Sequence, residues 1–143
     1  MLQRIRFFYQ CEAFAFTRRT TLKRFLEQLL RREGRKLQEI RIIFCTDEQL
    51  LEINRTHLNH NYYTDIITFP FSEPAQPVEA ELYISVDRIR HNAVMAGCSF
   101  REELHRVIFH GALHLCGYND KSSQEIKQMR EREEHYLRLY FKR

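Results

Sequence analysis

The spacing of apolar residues divides this chain into four strands and about five helices. Ile5-Arg6-Phe7-Phe8-Tyr9 reads as a short strand, and Leu22, Phe25, Leu26, Leu29 and Leu30, behind Thr20-Thr21, recur at the spacing of a helix with one buried side. Ile40 to Phe44 is almost continuously apolar, the pattern of a strand inside a sheet. Thr46 or Asp47 then caps a short helix through Leu50, Leu51 and Ile53. Asn54 to Tyr63 is polar without periodicity and reads as loop, and Ile66-Ile67-Thr68-Phe69 starts a third strand. Pro70, Pro74 and Pro77 break the chain before Glu81-Leu82-Tyr83-Ile84-Ser85-Val86, a fourth strand close enough to the third to pair with it antiparallel.

From Asp87 onward the period is helical. Ser99-Phe100-Arg101-Glu102 and Ser122-Ser123-Gln124-Glu125 each place a capping serine three residues before a glutamate and open the last two helices. The first of these is apolar around most of its circumference, with Leu104, Val107, Ile108, Ala112 and Leu115 on one broad side and Phe109 and Leu113 nearby. A helix of that kind belongs at the centre, between the sheet and another helix. The last helix carries Ile126, Met129, Tyr136, Leu137 and Tyr140 among charges and reads as a packing partner without chemistry. The expected fold is a single α+β domain over residues 1–143, a four-stranded mixed sheet packed with about five helices.

Charge changes this picture at one end. The first 41 residues hold eleven Arg and Lys against four Glu, while the remaining 102 hold twelve against fifteen acids, so the formal net charge of +4 is an asymmetry. Arg31, Arg32, Arg35 and Lys36, with Arg88 further on, are candidates for phosphate contacts along a nucleic acid. A solvated face around an ordinary amphipathic helix explains the same residues equally well. No apolar run approaches the roughly 20 residues of a membrane span, and the N-terminus lacks a signal peptide's apolar core, so a cytoplasmic protein is expected. Cys11, Cys45, Cys98 and Cys116 show no Cys-x-x-Cys pair and suit small core residues in a reducing compartment.

The chemistry concentrates in His110-Gly111-Ala112-Leu113-His114-Leu115-Cys116-Gly117-Tyr118-Asn119-Asp120. His110 and His114 are four residues apart, about 40° around a helix axis, so their rings project from one face. Gly117 suits the left-handed turn that ends a helix, and Asp120 follows where the chain can fold back. Two imidazoles and a carboxylate fit a divalent transition metal with a coordination position left for water, zinc first, with manganese, iron or nickel also compatible. The spacing matches the long zinc-protease pattern except that Gly111 replaces the glutamate that serves as general base, which argues against a peptidase. His57, His60, His91, Arg90 and Glu81 are further polar candidates without an assigned role, and no proton-transfer group is evident.

The same eleven residues resemble the signature of the YbeY family of bacterial rRNA maturation endoribonucleases, His-Gly-x-Leu-His-Leu-x-Gly-Tyr-Asp-His. Two more blocks agree in order, from Asn54 through Thr64-Asp65-Ile66-Ile67-Thr68-Phe69-Pro70 and at Glu81-Leu82-Tyr83-Ile84-Ser85. The resemblance implies a metal-dependent, single-strand-specific endoribonuclease acting on rRNA at the 3′ end of 16S rRNA and in ribosome quality control, with the small ribosomal subunit as partner. It implies His110, His114 and Asp120 as metal ligands, with aspartate in place of the family's third histidine. Leu58 stands where the family carries an arginine implicated in catalysis, which keeps two other readings open: a non-catalytic RNA-binding factor with a structural metal, and a hydrolase of another substrate class.

Overall fold

The computed structural model describes residues 4–14 and 16–143. Its elements are β1 (Ile5–Tyr9), α1 (Arg19–Arg32), β2 (Leu37–Cys45), α2 (Asp47–Leu58), β3 (Ile66–Pro70), β4 (Val78–Ser85), α3 (Val86–Ala96), α4 (Phe100–Leu115) and α5 (Ser123–Phe141). The sheet order is β1-β2-β4-β3, with β1, β2 and β4 parallel and β3 antiparallel to β4. This is the expected single α+β domain with a mixed four-stranded sheet and five helices.

Strand alternation sends the two sheet faces to different fates. Ile40, Ile42 and Phe44 of β2 and Val78, Ala80, Leu82 and Ile84 of β4 point into the main core with the inner faces of α1, α4 and α5. On the opposite face Cys45, Leu50 and Ile67 form a small second core under α2, with Phe69 and Tyr83 packed against it. The rest of that face is a charged ladder in which Arg41 reaches Glu39 at 3.2 Å and Glu81 at 3.0 Å.

Helix α4 is the central element, as its nearly all-round apolar sequence requires. It packs on β3 and β4 and against α1, α3 and α5. At Gly111 it lies close on the sheet, where an added Cβ would be 2.7 Å from Ile66 Cδ1 and 3.1 Å from Leu82 Cδ1. Helix–sheet contact therefore favours glycine directly after His110, since a side chain there would force the Ile66 and Leu82 side chains to repack.

Several boundaries differ from the sequence reading: β2 begins at Leu37, and β4 runs from Val78 to Ser85 with Val86 already in α3. Helix α2 continues through Leu58, over Asn54 to His57, because Asn54 is buried on its inner side and donates from Nδ2 to Tyr62 O at 2.9 Å. A polar residue thus does the job of an apolar anchor, and periodicity of hydrophobic residues misses it. The left-handed Asn59 ends the helix, leaving 59–65 as the connection to β3. Ser99 caps α4 by accepting from Glu102 N, and Ser122 forms a reciprocal capping box with Glu125 at the start of α5.

Candidate metal centre and basic trough

The C-terminus of α4 is built by a Schellman turn. Gly117 N donates to His114 O at 3.1 Å and Tyr118 N to Leu113 O at 3.2 Å, with Gly117 at φ +102°, a conformation open to glycine at no steric cost. This turn reverses the chain and brings Asp120 back against the helix. Asp120 Oδ2 lies 3.2 Å from His110 Nε2. Asp120 does not cap the following helix, since Ser122 fills that position.

Both histidines of the motif have their Nδ1 occupied. His110 Nδ1–H donates to Glu133 Oε2 at 2.7 Å, and His114 Nδ1–H donates to the Tyr118 carbonyl at 3.0 Å. That tautomer leaves the Nε2 lone pair of each ring for a ligand, the arrangement in which an acceptor behind an imidazole fixes its orientation. The donor set thus has the chemistry of a transition-metal site. Its assembly is partial: His110 and Asp120 touch, His114 is exposed, and among the described residues no three His, Cys, Asp or Glu side chains are gathered around one point.

Around His110 lies a cleft of about 660 Å³, lined among others by Asp65, Asn92, Glu103, Arg106 and Glu133. Burial raises the carboxyl pKa of Asp65 and of Glu103. Arg106 gathers the acids, reaching Glu134 at 2.6 Å, Glu103 at 3.5 Å and Glu133 at 3.7 Å. Burial by itself would lower the pKa of His110, but the Glu133 hydrogen bond and the charges of Glu133, Asp65 and Asp120 outweigh it and leave the ring more basic than usual. Glu133 was invisible as a site residue in the sequence, where α5 reads as packing only. Its position was the available signal, since it stands on the apolar stripe of Met129, Tyr136 and Leu137 and is buried with them.

The candidate RNA contacts separate into two places. Arg31, Arg35 and Lys36 line a trough of about 1020 Å³ with Arg4 and Arg6, at the α1–β2 junction. Arg35 is also structural, donating to Leu115 O at 2.7 Å and Gln76 O at 3.1 Å, so the floor of the trough is tied to the residue after His114. Arg32 is exposed beside it, whereas Arg88 is held away by Asp47 at 2.8 Å and lies over the Tyr63 ring. Glu81 is committed to Arg41 and Tyr83. His60 stacks on Tyr62, His57 meets the edge of Phe69, and His91 is exposed. Burial pushes the Cys116 thiol up to about 12, as suits a packed core residue and not a reactive thiolate.

A mixed sheet with a buried helix that presents two histidines and turns back on an aspartate defines the class. The family model for Endoribonuclease YbeY matches residues 9–140. A curated Endoribonuclease YbeY from Cytophaga hutchinsonii is 41% identical over 133 residues, 93% of either chain. One from Bacteroides thetaiotaomicron is 50% identical over 106 residues, 74% of this chain and 77% of its own. The solution structure of a Thermotoga maritima protein superposes with a TM-score of 0.66 at 26% identity, covering 96% of this chain and 89% of that one. The chain belongs to the Endoribonuclease YbeY family and is an enzyme by that membership.

Proposed function

We propose that this protein is a metal-dependent endoribonuclease that cleaves single-stranded RNA in rRNA maturation, including the 3′ end of 16S rRNA and quality control of the small ribosomal subunit, in the cytoplasm. The observation that carries this reading is the contact between His110 Nε2 and Asp120 Oδ2 beneath two imidazoles whose Nδ1 protons are already spoken for. His110, His114 and Asp120 would hold the ion, zinc by preference, and that ion supplies an acidified water and charge stabilisation at the phosphate. Asp120 makes the site one charge less positive than three histidines would, which favours retention of the cation and makes its water less acidic.

The chain's own part is to hold the strand and the ligands. Glu133 fixes His110, and Arg31, Arg32 and Lys36 supply sequence-independent attraction for the phosphate backbone while Arg35 anchors that surface to the end of α4. The described residues support no specific base recognition.

Leu58 favours a second reading, a non-catalytic RNA binder. It ends α2 with 40% of its surface exposed, and the neighbouring Arg55 is engaged with Asn61 at 2.6 Å. The two readings are separated by assaying metal-characterised protein on single-stranded and duplex RNA, as wild type, His110→Ala and Leu58→Arg. Cleavage of single strands that His110→Ala abolishes and Leu58→Arg raises supports the enzyme. RNA binding without cleavage in wild type and Leu58→Arg alike supports the binder and overturns the proposed reaction.

A further inference from the structure

Glu33 caps the C-terminus of α1, in a run of charges that suggests a solvated helix end. Its carboxylate instead has a side-chain exposure of only 11% and accepts from three donors: Arg132 Nη2 at 2.7 Å, Tyr118 OH at 2.8 Å and, through a short bond, Tyr136 OH. Burial would raise its pKa, yet these three bonds hold it below the usual carboxylate range, so the group is charged and fully engaged.

Two of the donors, Arg132 and Tyr136, belong to α5 and suffice to fasten α1 to it. The third does something else. Tyr118 is the residue whose backbone carbonyl takes the Nδ1 proton of His114, and its own backbone N–H closes the Schellman turn on Leu113. Tyr118 is therefore held at three points, of which the phenol is the one that bonds outside α4 and its turn. His110 has a carboxylate directly behind its ring, whereas His114 is the exposed member of the pair and has only a loop carbonyl.

We infer that Glu33 is a positioning residue for His114: by gripping the Tyr118 hydroxyl it fixes the carbonyl that sets the tautomer and direction of the His114 ring. Glu33 thereby does for the second histidine, through one intervening residue, what Glu133 does directly for the first. The value of this grip to the enzyme rests on the proposed metal role of His114, but the ring geometry itself exists without a metal.

Tyr118→Phe cuts the link while keeping the ring's bulk and the backbone carbonyl. Tyr136→Phe removes another bond to the same carboxylate and leaves Tyr118 untouched, so it reports what merely loosening α1 from α5 does. The imidazole ¹⁵N resonances of His114 in metal-free protein and zinc affinity by competition with a chromophoric chelator are measured on both variants and wild type, with folding checked by thermal melting. Wild type is expected to show the Nδ1–H tautomer, and Tyr118→Phe a mixture of tautomers with zinc affinity lower by about tenfold, the lower end of what loss of an outer partner costs a metal site. Tyr136→Phe is expected to melt lower with both readouts unchanged, and Glu33→Ala to reproduce the Tyr118→Phe tautomer mixture. An unchanged His114 tautomer in Tyr118→Phe, or an equal change in Tyr136→Phe, would overturn the inference. A wild type that binds no zinc would defeat the metal reading instead, and the tautomer comparison would still decide the role of Glu33.

Discussion

His105 and His110 stand five residues apart on one helix and live in opposite chemistry. His105 is buried among Phe16, Phe109, Tyr140 and Phe141. It donates from Nδ1 to the Arg101 carbonyl at 2.6 Å, its Nε2 has no partner among the described residues, and burial depresses its pKa to about 4. His110 is partly buried, and Glu133, Asp65 and Asp120 around it raise its pKa. Burial acts on both rings, and the difference comes from what the other elements bring. The aromatic side chains of α5 and the segment before α1 meet one ring, and carboxylates from α5, the start of β3 and the turn after α4 meet the other. A histidine's role on a helix is thus set by its neighbours in space, which residue type and spacing do not disclose.

The widest expected gap between the two is in activity. His110→Ala should lower RNA cleavage by more than about 100-fold, since loss of an outer partner alone costs a site 10- to 100-fold, whereas His105→Phe should leave the rate on single-stranded RNA unchanged. A comparable fall in the folded His105→Phe protein would break the distinction.

Next in size is an acid effect that His105 carries and His110 does not. The folded ring titrates near 4 and the unfolded one near 6.5, so below 6.5 the unfolded chain binds the proton more readily. Stability is therefore full above that value and is lost as pH falls towards 4, by about 3 kcal/mol over the whole window. Urea unfolding at about pH 7 and about pH 4 should show a steeper loss for wild type than for His105→Phe, the carboxylates common to both cancelling in the difference. Equal slopes would show that the aromatic cage admits a charged ring.

The third effect probes the carboxylate behind His110. Glu133→Gln keeps an oxygen that can accept the Nδ1 proton and removes the charge; Glu133→Ala removes both. Zinc affinity should fall about 10- to 100-fold in the alanine variant and less in the glutamine one. Equal losses would assign the whole effect to charge, and no loss in either would leave Glu133 as no more than a partner of Arg106.

These neighbourhoods also show what was legible in the chain. The almost continuous apolar run of β2, the apolar circumference of α4 and the serine caps of the last two helices are local patterns, and each led to the right element. Gly117 and Asp120 were legible because a turn joins them within three residues. Glu133 and Glu33 were not, although each touches the motif, because the contacts span 23 and 85 residues; Glu133 shares its run of charges with Glu131 and Glu134, and Glu33 stands among Arg31, Arg32, Arg35 and Lys36 at a helix end. The early end assigned to α2 has the same origin: Asn54 earns its buried place through Tyr62, eight residues on, and not through its own hydropathy.

The smallest expected effect touches neither histidine. Neutralising Arg31, Arg32 and Lys36 to glutamine should weaken RNA binding across unrelated sequences and flatten its salt dependence, by up to about 2 in the log–log slope if each side chain meets one phosphate of a single strand. Arg35 is left in place because its removal would strand the Leu115 and Gln76 carbonyls and disturb the end of α4, confusing a loss of charge with a loss of His114. Arg31 is partly spent on Glu27 at 3.6 Å, so it should contribute less than the other two. Zinc affinity and the acid sensitivity carried by His105 should stay at wild-type values, and melting curves check that no apolar surface has been uncovered by shortening the side chains. If affinity and slope are unchanged, the strand runs elsewhere, and the acid-lined cleft beside His110 has to attract its phosphates without help from the trough.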